Sequence, residues 1–166
     1  MKIKSLLLPS FVAVIVLTTA CNNNKKQHEM ATQNTAAIFP EGNKLPGDHF
    51  TGNAFLHPML AKDNNNEFSL GCVTFQPGAR THWHTHPKGQ VLIVTEGEGF
   101  NQEKGKSAQT LKKGDVVNIP ADTQHWHGAS TSSKLVHVAI TNYRGDENVV
   151  WLQPVSDEEY NQVNKK

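Results

Sequence analysis

From about Ile38 onward the chain consists of short runs in which apolar and polar residues alternate, and no stretch before the extreme C-terminus carries a helical period. Alternation of this kind sends successive side chains to opposite faces of a strand, one towards a core and one towards water. The runs predict strands over 52–60, 67–76, 80–86, 90–95, 99–103, 107–111, 115–119, 124–129, 135–141 and 149–153. Turn residues separate them, at Pro77-Gly78, Glu96-Gly97-Glu98-Gly99, Lys113-Gly114-Asp115 and Arg144-Gly145-Asp146. Many short strands at near-even spacing predict an all-β sandwich or barrel. Ser156-Asp157-Glu158-Glu159 has the Ser-x-x-Glu form of a capping box, so a short terminal helix is expected to follow the strands. Val91-Leu92-Ile93-Val94 is apolar on both strand faces although one face suffices to line a barrel, and a homodimer that buries the second face is expected.

The chain upstream of Ile38 reads differently. Lys2 and Lys4 precede an apolar run over 6–17, broken by Pro9, that is too short to span a bilayer comfortably and ends in Thr18-Thr19-Ala20-Cys21. The pattern resembles a bacterial lipoprotein signal, which implies a signal peptide over 1–20, cleavage before Cys21 and lipidation of its thiol. Residues 21–37, with little apolar content, are expected to be a flexible tether, and 38–166 to be the folded domain. The expected location is the bacterial cell envelope, on the periplasmic or extracytoplasmic face, with the membrane engaged through lipid alone. Cys72 then has no cysteine to pair with, and its flanking pattern makes it a buried strand residue and not a nucleophile.

A chain of 166 residues, 37% hydrophobic and 19% charged, fits one domain with a modest core. Lys+Arg 16 against Asp+Glu 15 gives a net charge of +1 without a basic stripe, which excludes a nucleic-acid partner. The unusual count is His 9, because His82, His84, His86, His125, His127 and His137 fall close together in the sequence. Neutral imidazole is the commonest metal ligand and titrates nearest neutral pH, so the clustering points to chemistry.

In Arg80-Thr81-His82-Trp83-His84-Thr85-His86-Pro87-Lys88-Gly89-Gln90, strand alternation puts His82, His84 and His86 on one face, and the Pro87-Lys88-Gly89 turn brings Gln90 back towards them. Gln124-His125-Trp126-His127-Gly128 offers further histidines on one face from a distant strand. Trp83 and Trp126 have the opposite parity and read as packing residues, and His28, His49 and His57 receive no role.

These substrings resemble the cupin family. Gly78, His84, His86, Gln90 and Gly97 fall in the register of its first motif, and Gly114, Pro120, Asp122, His125 and Ala129 in that of its second. Gln90 stands in place of Glu, Asp122 in place of Gly and Ala129 in place of Asn. The wider pattern, with Pro77-Gly78-Ala79-Arg80 and His125-Trp126-His127-Gly128-Ala129, is similar to the small single-domain cupins that include the bacterial manganese-dependent hydroxynitrile lyases and the carboxymuconolactone-decarboxylase-associated cupins. The resemblance implies a double-stranded β-helix (jelly-roll) barrel and a divalent metal, Mn(2+) first, held by His84, His86, Gln90 and His125. Fe(2+), Ni(2+), Co(2+), Cu(2+) or Zn(2+) suit the same mixed donor set. His127 and His137 map beside the metal as the catalytic pair, and His82, Cys72 and Thr141 to the substrate pocket; Thr141 replaces a glutamine and His82 is an addition.

Gln90 changes the expected chemistry, because imidazoles and an amide leave the charge of a divalent ion uncompensated where a glutamate would cancel one unit. The ion should act as a stronger Lewis acid that prefers anionic partners. His127, roughly 6–7 Å along the strand from His125, is placed to act as a general base without being a regular ligand. The expected function is a metal-dependent enzyme acting on a small organic substrate, most concretely a lyase resembling those that cleave hydroxynitriles. A metal-dependent dioxygenase and a non-catalytic binding lipoprotein for a metal or small ligand are the alternatives.

Overall fold

In the computed structural model, which describes residues 37–165, the alternating runs pair into one antiparallel sheet that curls upon itself. The expected signal peptide, the lipidation site Cys21 and all but the last residue of the expected tether lie outside the described residues. The elements are β1 (Asn43–Lys44), β2 (Phe50–Thr51), β3 (Ala54–Leu60), β4 (Phe68–Phe75), β5 (Arg80–Thr81), β6 (His84–Thr85), β7 (Gln90–Glu103), β8 (Gln109–Lys112), β9 (Val116–Ile119), β10 (His125–Ala129), β11 (Leu135–Asn142), β12 (Val150–Trp151) and α1 (Asp157–Val163). One wall runs β1-β3-β4-β11-β7 with β9 beyond it; the other runs β7-β10-β5-β2, with β8 on β7, and β6 and β12 extending it beside β10.

β7 belongs to both walls. Its first half pairs with β9 and β11 and its second half with β8 and β10. Glu96-Gly97-Glu98-Gly99, expected to be a turn between separate strands, is instead the corner of one continuous strand. The register slips opposite Val136/His137, and Gly97 adopts a φ of 78°, so the extra residue bends the strand without breaking it. The expected strand over 80–86 shows the opposite departure. It divides into β5 and β6 because Trp83 turns aside to pair its backbone with Leu152 and Gln153. That irregularity resets the alternation, and it decides which side chains reach the interior.

Between the walls lies an apolar core that includes Phe75, Leu92, Leu111, Ile119 and Leu135, each at most 1% exposed. A second cluster forms outside the barrel, where Trp83 and Trp126 pack against Val155 and Tyr160 under α1. These tryptophans carry the opposite parity to the neighbouring histidines, and an aromatic side chain buries roughly 150–250 Å², which gives the helix its reason to dock. The helix begins as its sequence predicts: Glu159 N donates to Ser156 Oγ at 3.1 Å and Ser156 N to Glu159 Oε2 at 3.0 Å. Buried Arg80 fastens it, with Nη2 donating to Asp157 Oδ1 at 2.6 Å and the guanidinium 4.4 Å from the centre of the Tyr160 ring. Because both faces of β10 are covered, every one of its residues is buried, and its inward face can carry polar groups away from solvent.

The corner in β7 should be the least substitutable point of the barrel. A Cβ on Gly97 would lie 1.8 Å from Lys134 O at a left-handed φ, whereas a Cβ on Gly78, at φ 83°, would meet nothing within 4 Å. Gly78→Ala is expected to cost about 1–2 kcal/mol in chemical denaturation, the penalty of the conformation alone. Gly97→Ala should cost clearly more, and equal losses would show that the corner can give way.

Candidate metal centre

Strand register brings the histidines of the two motifs together. β10 runs antiparallel to β6 with His125 directly opposite His84, and the ring centroids are 4.1 Å apart. His86 leaves β6 at the following turn, 5.0 Å from His84 and 5.5 Å from His125. Gln90 opens β7 directly opposite Thr141 of β11, and its Nε2 donates to Thr141 Oγ1 at 2.9 Å.

The imidazole tautomers follow from their partners. His84 Nδ1 lies 2.9 Å from His82 O, His125 Nδ1 3.0 Å from Thr123 O, and His86 Nδ1 bonds Asn148 O. A carbonyl can only accept, so each Nδ1 carries the proton and each Nε2 presents a lone pair. His86 Nε2, His125 Nε2 and Gln90 Oε1 are buried without partners. Buried polar atoms of this kind cost roughly 1–3 kcal/mol each when left unpaired, so unpaired lone pairs in the interior fit a cation. Outer carbonyls that orient imidazoles are the usual support of metal-binding histidines.

His127 and His137 are arranged differently. His127 reaches the same interior from β10, its ring centroid 5.4 Å from His84 and 4.9 Å from His137. His84, His125 and His127 offer nitrogen atoms within 4.8 Å of one another, a buried triad able to hold a metal ion. Yet no carbonyl holds the His127 ring; its Nδ1 is unpartnered, as are both ring nitrogens of His137. Phe75, edge-on to His127 at 5.6 Å and tilted to His137 at 5.7 Å, joins this pair to the apolar core. Burial holds His84 and His127 well below the usual histidine range, helped by neighbouring imidazoles. It brings His125 and His137 down to about 4, and lowers His86 against the opposing Asn148 carbonyl. All five rings are therefore neutral at pH 7, the form that ligates or accepts a proton.

His84, His86, His127, His137 and Gln90 line a cavity of about 510 Å³, whose other walls are mostly apolar and include Phe50, Leu56, Val73, Ala139 and Trp151. No Asp, Glu, Lys or Arg side chain lines it among the described residues. Thr141 lies in the wall, but His82 and Cys72 do not. His82 fails because the break after Thr81 resets the parity, so that Thr81 and His84 both face inward while the half-exposed His82 turns to His49. Cys72 points to the far face of β4, where burial raises its thiol pKa, the reverse of an activated nucleophile. Sequence reasoning missed the cavity mouth, where the His49 ring stacks on Trp151 at 4.5 Å and Trp151 lies 4.9 Å from His84. Only the pairing of β12 with β6 brings Trp151 there, and local sequence carries no signal of it.

Comparison with known proteins agrees with this architecture. The cupin domain model matches residues 71–141. The (R)-mandelonitrile lyase of Granulicella tundricola is 41% identical over 117 residues, covering 70% of this chain and 89% of that one. A cupin-like protein from Thermotoga maritima superposes with a TM-score of 0.75 at 46% identity, over 78% of this chain and 98% of the other. A cupin-2 domain from Rhodospirillum rubrum shares the fold alone, at 16% identity and a TM-score of 0.56 over 79% of this chain and 86% of its own. With the two motifs joined across β6 and β10 and a relative this similar over most of its length, the chain belongs to the cupin family.

Proposed function

We propose that the protein is a metal-dependent lyase that cleaves a small hydroxynitrile or a closely related hydroxy compound. The ligands are His84, His86 and His125 through Nε2 and Gln90 through Oε1, with Mn(2+) taken first from the resemblance to the manganese-dependent hydroxynitrile lyases. The observation that carries the reading is the division of the buried histidines into two kinds. Three have Nδ1 on a backbone carbonyl, and two, His127 and His137, leave Nδ1 without a hydrogen-bond partner. The first kind is built to ligate, and from the second His127 is placed to exchange a proton. The similarity to an (R)-mandelonitrile lyase supports the choice of reaction.

When bound, the ion supplies a Lewis acid for the negative charge that develops as the substrate divides, undiminished by any carboxylate in the wall. The apolar walls take up the organic group and exclude water. His127, neutral because it is buried, accepts the hydroxyl proton of the substrate. The carbon–carbon bond then breaks, its electron pair leaves with the nitrile carbon as a carbonyl forms, and His127 returns the proton to the departing cyanide. His137, in edge contact with His127, keeps the ring in place. The proposal also includes lipidation at Cys21 on the cell envelope, and a homodimer that covers the outer face of β7 and β9, where Ile93 is 37% and Val116 62% exposed.

His84→Ala or His125→Ala should bring metal content, read by elemental analysis, close to background, since either change leaves an incomplete site. His127→Ala should keep its metal and lose on the order of 10²–10⁴-fold in turnover of a hydroxynitrile, the range for a positioned acid–base group. Turnover should persist without oxygen; dependence on oxygen would replace the lyase by a dioxygenase. Loss of metal in His127→Ala would instead make His127 a ligand.

The metal-free protein should lose stability in acid. His125 and His137 are lowered to about 4 from 6.5, so between those values the unfolded chain binds more protons than the folded one. The stability they contribute is complete above pH 6.5 and disappears as pH falls through about 4. Denaturation midpoints should fall accordingly, by the equivalent of a few kcal/mol, because holding a histidine neutral across one pH unit is worth roughly 1.4 kcal/mol. A flat profile across this window would mean that the rings are not buried and neutral.

A further inference from the structure

The carbonyl that orients His86 belongs to Asn148, in the surface turn between β11 and β12. That turn is closed by backbone bonds from Arg144 N to Glu147 O at 2.8 Å and from Glu147 N to Arg144 O at 3.2 Å. The side chain of Arg144 reaches back to the turn that follows His86. Its Nη2 donates to Pro87 O, directly after His86, and to Asp122 Oδ2 at 3.2 Å. Asp122 N in turn donates to His86 O at 2.9 Å. The contacts form a closed circuit: the His86 ring to Asn148, along the turn to Arg144, across to Pro87 and Asp122, and back to the His86 backbone.

Asp122 has an unusual place in this circuit. Its φ is 57°, and among the described residues no other non-glycine has a positive φ. It occupies the motif position where glycine would be at ease, and a residue with a Cβ bears a penalty of roughly 1–2 kcal/mol there. Asp is one of the few residues with a Cβ that takes this conformation, and the carboxylate here meets Arg144.

We infer that Asp122 and Arg144 form a latch that positions His86 through the Asn148 carbonyl and so sets how long the metal is retained. This rests on the reading of His86 as a ligand. The two side chains are 64% and 55% exposed, so the pair adds little to overall stability. Its effect falls on the ring it helps to aim. Lys62, bonded to Gly145 O and to Asp146 Oδ1 at 2.9 Å, still anchors the turn when the latch is cut, so loss of retention is partial.

The test uses the full chain loaded with Mn(2+), and follows release of the ion to a chelator in Asp122→Gly, Arg144→Ala and the double variant, together with the thermal midpoint of each metal-free form. Each single substitution should speed release about five- to tenfold, at or just below the lower bound of what partners outside the coordination shell contribute. The double variant should release no faster than the quicker single, because the two residues act as one device. The metal-free midpoints should stay close to that of the parent, since in Asp122→Gly the relief of the left-handed conformation offsets the greater freedom of the unfolded chain. Unchanged release in both singles, multiplied effects in the double, or metal-free midpoints that fall in step with faster release would each overturn the latch. His86→Ala separates the two levels of the argument. If it loses the ion while the latch variants release at the parent rate, the latch fails and the ligand reading stands; if it keeps the ion as tightly as the parent, both fail.

Discussion

The site depends on the antiparallel pairing of β10 with β6, which sets His125 opposite His84 although many residues separate them in the chain. Opposed residues in such a pair hold their Cβ atoms roughly 4.5–5.5 Å apart, close enough for two imidazoles to share one ion and too close for both to be charged at little cost. A one-residue slip of β10 would bring Trp126 into the cavity and send His125 under α1. The outer cluster of Trp83, Trp126, Val155 and Tyr160 opposes that slip, because it would take Trp126 out of this packing. The terminal helix thus contributes to the site without touching it.

The polar character of the interior has a cost that shapes the surroundings. Unpaired nitrogen and oxygen atoms on His86, Gln90, His125, His127 and His137 are enclosed by a barrel whose other contents are mostly apolar. Without an ion this is a reservoir of unfavourable desolvation, held in place by a core that is well packed at Phe75, Leu92 and Leu135. Carbonyls at His82, Thr123 and Asn148 remove the ambiguity of ring orientation beforehand, so that little ordering remains for binding to impose. A wall free of carboxylates leaves the charge of a bound cation for a substrate to answer.

Much of this is legible in the amino-acid sequence, for reasons that can be assigned. The strands, the terminal helix and the two histidine clusters follow from local alternation, capping chemistry and spacing, each a property of neighbouring residues. Parity fails where tertiary pairing overrides it. Trp83 turns aside to β12, the count restarts, and His82 leaves the face it is expected to share with His84, while Thr81 joins it. Glu96-Gly97-Glu98-Gly99 has the composition of a turn, but pairing on both sides draws it into a strand with a bulge. Cys72 is the buried strand residue that its flanks predict, but it lies on the wrong face to belong to the pocket. His49, Asn148 and Trp151 carry no local signal, since what brings them to the site is contact across the fold.

The single strand that runs through both walls has a bearing on assembly. Because β7 carries Gln90 at one end and pairs with β10 at the other, the donors from the two motifs cannot meet until the corner at Gly97 has formed and both walls have closed over it. These contacts are long-range, and loops of such length close late and slowly. An early hairpin holding His84 and His86 alone offers too few donors to compete for an ion. Any metal would then be acquired by a finished cavity and not by a folding chain, and its identity would be set by the shape of that cavity and by which ions are available when the barrel closes.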